Sequence, residues 1–493
     1  MKAWEYVIHT AMLGTDKPAP DNSGLPAEVA EIAAAIDALE PLDKEANFLQ
    51  KAAVIYNYRQ CGFVPFQQKD LPAIPAPIEI QSYCSEEAAM VLSDILQQDN
   101  NALLELWLRL CNDKGELLLP DFLPAVLDAA VKDKYLQPLV LACSGNRGLW
   151  LSQLNPSWGY FNVASDEELW QTGNPEQRYN VLKRLRQTDS QQAREWLQQT
   201  WIQETSASKV EFLKILRINI SVADLEWLET LLSEKGQKVK DEALSLLKLI
   251  PGSSVLNLYQ ELLEKSIILK KERALLGMMK KVSIQQILPD IVDDAIFKSG
   301  IGKLAGLKSV FTDEGFILYQ LIRAVPPSFW EKQFDATPAQ VFDYFDKYAH
   351  DKVPALGLAV SHFKQKEWVP YFLDQPELYP GFLEMMTKSE QEKYLARFLK
   401  TDAGNTINYA IDLAAEWGTE FGMMLLREMA NHPYEYHRAF FNKHIRLIPV
   451  GIINQLDKIE PKDPNMQNVW GKAKDHLIKL LGLKQRTLKA FNV

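Results

Sequence analysis

Apolar residues recur along most of this chain at the three-and-four spacing of an amphipathic helix. The clearest run is Val239, Ala243, Leu246, Leu247 and Ile250, at i, i+4, i+7, i+8 and i+11, and Pro251-Gly252 ends it. The same period predicts helices over 85–97, 102–110, 122–142, 209–217, 224–232 and 255–264, with more over 272–281 and 284–296. Asn174-Pro175-Glu176-Gln177 reads as a helix start: Asn caps, Pro takes the first helical position, and Gln closes the box. That helix runs to Arg186, and Asp189 caps the next. Successive helix pairs begin about 30–35 residues apart, the range of helical-repeat units. Long alternation of apolar and polar residues is absent. Glu116–Leu119 reads as one short extended piece, and no sheet is expected.

The pattern therefore predicts an all-α protein: an α-solenoid-like, HEAT-like array of paired antiparallel helices with irregular helical units at both ends. Four regions follow. Residues 1–143 form an amino-terminal helical unit, in which Pro65, Pro72, Pro75 and Pro77 turn 62–80 into an extended strap. Residues 144–165 form a glycine- and tryptophan-rich joint, 166–300 the regular array, and 301–493 a carboxy-terminal helical unit broken at Pro326-Pro327, Pro354, Pro380 and Pro433.

The joint carries candidate binding residues Asn146, Arg147, Trp150, Asn155 and Trp158. Read as structure, Gly145 caps the preceding helix, Gly148 permits close backbone approach, Asn155-Pro156 turns the chain and the tryptophans wedge between units. Read as function, Arg147 and one tryptophan face a ligand. Arg147 separates the two: buried and paired, it belongs to a joint; exposed beside Trp150, it belongs to a site.

Hydrophobic content of 47% with 24% charged residues fits a folded chain, and a net charge of −10 argues against general affinity for phosphate backbones. A local basic face is still available from Arg178, Lys183, Arg184, Arg186, Arg194, Lys238 and Lys240, with Trp196, Trp201 and Trp227 interleaved. The plainer reading puts the tryptophans in the core and the cations on solvated faces.

No signal core and no run of about 18 apolar residues appears. Cys61, Cys84, Cys111 and Cys143 are scattered and form no CxxC pair, which fits a reducing, cytoplasmic setting. Gly300-Ile301-Gly302-Lys303 lacks the Ser/Thr after the lysine and the buried strand of a phosphate loop. His432, His437 and His444 lack the i, i+4 spacing of a shared metal. No catalytic residues, metal site or cofactor are assigned.

Trp4 with Leu13-Gly14-Thr15, Gly145-Asn146-Arg147-Gly148 through Trp158, Leu169-Trp170-Gln171-Thr172-Gly173 with Arg178, and Leu249-Ile250-Pro251-Gly252 carry a resemblance over about residues 1–265. The chain there resembles a bacterial family of uncharacterised proteins with HEAT-like helices, encoded near SWIM zinc-finger, MoxR-type AAA+ ATPase and von Willebrand A domain proteins. The resemblance implies membership of an ATPase-associated multi-protein system, with those proteins as partners. The expected function is a non-enzymatic scaffold or adaptor binding a protein partner; the alternative is a nucleic-acid-binding helical-repeat protein with a DNA-glycosylase-like groove.

Overall fold

The computed structural model describes residues 2–15, 22–39, 43–61, 76–161, 165–273, 280–306 and 309–493. Most of the proline-rich strap, residues 62–75, lies outside them, as do 162–164 of the joint. Two compact units divide at Ala76/Pro77. In the first, helices Lys2–Leu13, Ala27–Asp37 and Lys44–Cys61 enclose a small core of Val7, Val29 and Ile55. Asp37 ties two of them together by accepting from Asn47 Nδ2 at 3.0 Å and Lys51 Nζ at 2.6 Å.

The second unit, Pro77–Val493, is an all-α helical array. Its regular part opens with Asp166–Thr172 and Pro175–Thr188, whose capping box is formed as the sequence predicts: Asn174 and Gln177 exchange side-chain bonds with each other's backbone at 2.9 Å. Helices Pro175–Thr188, Ser206–Leu216 and Gln237–Leu247 stack in one layer, with Ser190–Thr200 and Leu225–Leu231 set between them in sequence. The stripe read from 239–250 is the buried seam: Val239, Ala243, Leu246, Leu247 and Ile250 are all enclosed. Pro354 does not break a helix but sits in the first turn of Val353–Phe363, where its missing N–H costs nothing.

One departure from expectation lies at 267–286. Helices were predicted over 272–281 and 284–296; the chain instead forms an antiparallel pair, Ile267–Arg273 with Lys280–Gln286, in register Ile267↔Gln286 and Leu269↔Ile284. Only the short helix Asp294–Lys298 follows. Pairing with 280–286 decides for a strand, and Ile267 is buried while Ile268 is exposed, the two-residue alternation that a strand shows. The short extended piece read near Glu116–Leu119 is present, as a parallel bridge between Tyr83 and Leu117.

The ends of this unit meet. The long helix Gln467–Ala490 packs on Glu86–Gln97 and Asn101–Asp113. Arg486 pairs with Asp94 at 2.7 Å, Arg446 pairs with Glu105, and Asn100 donates to Asn442 Oδ1 at 3.3 Å. Trp107 and Phe491 meet edge to face at 5.4 Å. Lys484, buried, joins Glu416 and donates to Arg446 O at 2.9 Å and Ile448 O at 2.7 Å. An open array has two free ends; here the last helix covers the first two.

Candidate functional site

At the joint, helix Gln137–Leu154 is interrupted by Gly145, whose φ of 58° and ψ of −160° belong to glycine alone. The break frees two backbone donors, and Glu79 takes both, Asn146 N at 2.9 Å and Arg147 N at 2.7 Å. A Cβ on Gly145 would lie 2.5 Å from the Glu79 carboxylate and 2.7 Å from Leu117 Cδ1. Asn146 Nδ2 donates to Ile78 O at 3.0 Å. Asn155 opens the next turn by accepting from Ser157 N, and buried Trp158 donates from Nε1 to Asp128 at 2.9 Å. Trp150 is half-buried. Arg147 takes neither position foreseen for it. It is half-buried, forms no ion pair among the described residues, and keeps its Nε enclosed without a partner.

The proposed basic face does not survive intact. Arg186 is completely buried and pairs with equally buried Asp224 at 2.8 Å; Arg194 reaches the same carboxylate at 3.0 Å. Arg178 lies 4.4 Å over Trp170 and pairs with Glu204 at 2.5 Å. Arg184 is neutralised by Asp166. Exposed Lys183 and Lys238 and half-buried Lys240 have no ion-pair partner among the described residues. All four arginines are paired with acids, and Arg186 also bonds backbone carbonyls.

Arg186 also builds what lies beside it. Its guanidinium donates to Leu216 O, Ile218 O and Asn219 O at 2.8–3.1 Å, fixing the turn in which Asn219 takes a left-handed φ of 52°. That turn is one wall of a cleft of about 990 Å³. Arg217, Asn219 and Ile220 line it on one side, with Asn257, Gln260 and Glu264 from helix Ser254–Ser266. Lys332, Gln333 and residues 361–365 face them. Gln365 pins the second wall by accepting from Ser328 N at 2.9 Å and donating to Ser328 Oγ at 2.8 Å. The oxygens Ser361 Oγ and Gln333 Oε1 are enclosed here without a hydrogen-bond partner.

The His362 ring is reachable by solvent yet crowded by both walls, and burial, then Arg217, Arg323 and Lys248, hold its pKa down at about 4. Lys248 is itself pushed below its ordinary value by burial and by Arg323. Among the described residues that line the cleft, Arg217, Lys332 and Glu264 have no ion-pair partner, while Glu384 is taken by Lys364 at 2.7 Å. In a chain of net charge −10 the lining, with Arg217, Lys332 and Lys364 against Glu264 and Glu384, carries a small positive excess. Sequence reasoning missed it because its members come from segments up to about 145 residues apart.

Other candidates have structural roles. Gly302 is clamped by Gln320, which accepts from its N at 2.9 Å and donates to its O at 3.0 Å, so 300–306 is a pinned connection. His437 caps helix Arg438–His444 from Nδ1, and His444 packs on Phe440. Cys84, Cys111 and Cys143 are buried together, and hydrogen bonding to Cys143, then burial, push the Cys111 thiol far above its ordinary value. Among the described residues no group of three or more metal-ligating side chains is assembled, and no helix is long and apolar enough to cross a membrane.

Fold and cleft together define an all-α helical array with a polar cleft. The chain belongs to the family of unknown function DUF5691, whose profile matches residues 6–491. Family likeness thus extends through the carboxy-terminal helices, well beyond the 1–265 stretch in which sequence motifs are legible. Neither a curated protein nor a solved structure matches the chain.

Proposed function

We propose that this protein is a non-enzymatic scaffold that holds an acidic segment of a protein partner in the cleft between the 217–264 and 326–384 segments. The observation that carries the reading is a pair of cations with no ion-pair partner among the described residues, Arg217 and Lys332, on a cleft of about 990 Å³ in a chain of net charge −10. A groove built from backbone-pinned turns suits an extended segment, and stacked helices offer long surfaces for such contacts. Its charge favours acidic side chains and makes binding salt-dependent. A nucleic acid is the weaker match, since a net charge of −10 disfavours a long polyanion. The partners we propose are those the family resemblance implies, a MoxR-type AAA+ ATPase, a von Willebrand A domain protein or a SWIM zinc-finger protein. The setting we propose is the cytoplasm, where the free thiols stay reduced.

The test is fluorescence anisotropy with a labelled decapeptide of Asp and Glu, set against a DNA duplex of matching charge. The reading expects saturable peptide binding that weakens as salt rises and is lost in R217E/K332E. Binding of the duplex alone would replace it with the nucleic-acid reading, and binding unaffected by R217E/K332E would remove the cleft from it.

A further inference from the structure

We infer that a second cavity, of about 340 Å³ beside helix Lys388–Phe398, binds a small amphiphilic carboxylate, its hydrocarbon body inside and its head at the mouth. The inference concerns a different cavity from the scaffold reading and does not depend on it. Val369, Pro370, Leu373, Met385, Met386 and Tyr394 supply the apolar walls. They come from the one-turn helix Val369–Phe372, the 3-10 helix Pro380–Met385, the residue after each, and helix Lys388–Phe398. Hydrogen bonds hold these walls in place. Tyr394 Oη accepts from Tyr379 N at 2.9 Å, and Gln391 Nε2 donates to Leu383 O at 2.7 Å, which ties helix Lys388–Phe398 to the 379–385 segment. Next to Val369, Trp368 donates from Nε1 to Glu331 at 3.0 Å. The two methionines are half-buried, and their unbranched thioethers adapt to the shape of an apolar guest.

Size and charge select the guest. A cavity of about 150 Å³ holds a benzene ring, so 340 Å³ exceeds what one protruding side chain of a partner would fill. It falls within the roughly 300–1,000 Å³ of small-molecule pockets, whose walls are mostly apolar with a few polar groups that fix orientation. Here the charged groups are all exposed and stand at the mouth: Lys366, Lys393 and Arg397 against Asp374 and Glu390. Both acids are compromised. Glu390 closes the helix cap, accepting from Thr387 N at 2.7 Å and Thr387 Oγ1 at 2.8 Å. Asp374 is fully exposed, and its 3.7 Å pair with Arg397 is long and screened by water. Lys366 and Lys393 have no ion-pair partner among the described residues. A carboxylate head can therefore meet a cation directly while its hydrocarbon body displaces water from the apolar walls. A cationic head would find only the capped Glu390 and the solvated Asp374.

The probe is 4-phenylbutanoate, titrated calorimetrically into the full chain at pH 7.5, with 4-phenylbutanamide as its neutral counterpart. The carboxylate should bind saturably, one per chain, and slow amide exchange at 369–373 and 385–397. The amide should bind more weakly, by about threefold or more. K366Q/K393Q changes two exposed positions and should melt as the wild type does. It should bring the carboxylate down to the affinity of the amide and leave the amide unchanged. M386E sets a charge on the apolar wall and should abolish binding of both probes. No saturable binding, equal affinity for the two probes, protection confined to other segments, or binding unaffected by M386E would overturn the inference. An acidic peptide with one central Trp that protects 369–373 and 385–397, where 4-phenylbutanoate does not, would give the cavity to a partner's side chain and overturn it as well. The acidic decapeptide reports on the 990 Å³ cleft alone, so the two readings fail separately.

Discussion

Substituting Asp224 by Asn removes one charge from a pair with no access to water and leaves its shape nearly unchanged. Arg186 and Asp224 are both fully buried, and the guanidinium makes six hydrogen bonds, two to the carboxylate and four to the carbonyls of Ser190, Leu216, Ile218 and Asn219. Asp224 also accepts from Arg194 and from Ser221 N. In D224N the carbonyls still solvate Arg186, but its charge is left uncompensated, and removal of one partner from a buried pair costs about 3–5 kcal/mol. Chemical denaturation followed by circular dichroism should show a lower midpoint by that amount. R186M/D224L should recover little of the loss, because the carbonyls of Ser190, Leu216, Ile218 and Asn219 and the N–H of Ser221 lose their partners and Arg194 loses its acid. With the carbonyls of 216–219 unpaired, the double variant should also bind the acidic decapeptide less well through a loosened Arg217 wall. A D224N loss below about 1 kcal/mol would refute the reasoning, since it would mean that the pair is hydrated or replaceable.

Three further outcomes follow from named contacts. G145A should destabilise by about 1–3 kcal/mol, from the forbidden φ and from contact with Glu79 and Leu117; an unchanged unfolding midpoint would contradict the geometry. E79A removes the acceptor shared by Asn146 and Arg147 N–H and should cost about 1 kcal/mol, as lost helix caps do, with faster amide exchange at both residues. Because the folded-state pKa of His362 lies at about 4, below its unfolded value of about 6.5, the unfolded chain binds the extra proton between them. Stability from this group should therefore be complete above about pH 6.5 and fall as pH drops toward 4, and H362Q should flatten that part of a denaturation series.

Local features were legible where the signal is local. Asn174 and Gln177 stand three apart, and the capping box they imply is formed with both bonds. The seam from Val239 to Ile250 is buried as its period requires. Gly145 announced a special backbone, although not that a carboxylate 66 residues earlier would receive the freed donors. The failures are long-range. Lys270, Lys271 and their neighbours suit a helix surface as well as a strand, and what decided for a strand was the partner at 280–286. Arg184 and Arg186 look alike in sequence, yet one reaches a surface acid and the other is sealed in the core, because a helix turns about 200° between them. Closure of the second unit through Asn100 and Asn442 joins residues 342 apart, and no periodicity carries that. The cleft was invisible for the same reason: its cations sit at helix ends whose convergence depends on the stacking of every helix between them.

Hydrogen exchange of the full chain with and without the acidic decapeptide tests the cleft as the binding site most directly. Bound peptide should slow exchange at 217–221 and 361–365, the two walls of the cleft, and the protection should fade at high salt. Protection confined to other segments, or none at saturating peptide, would contradict it.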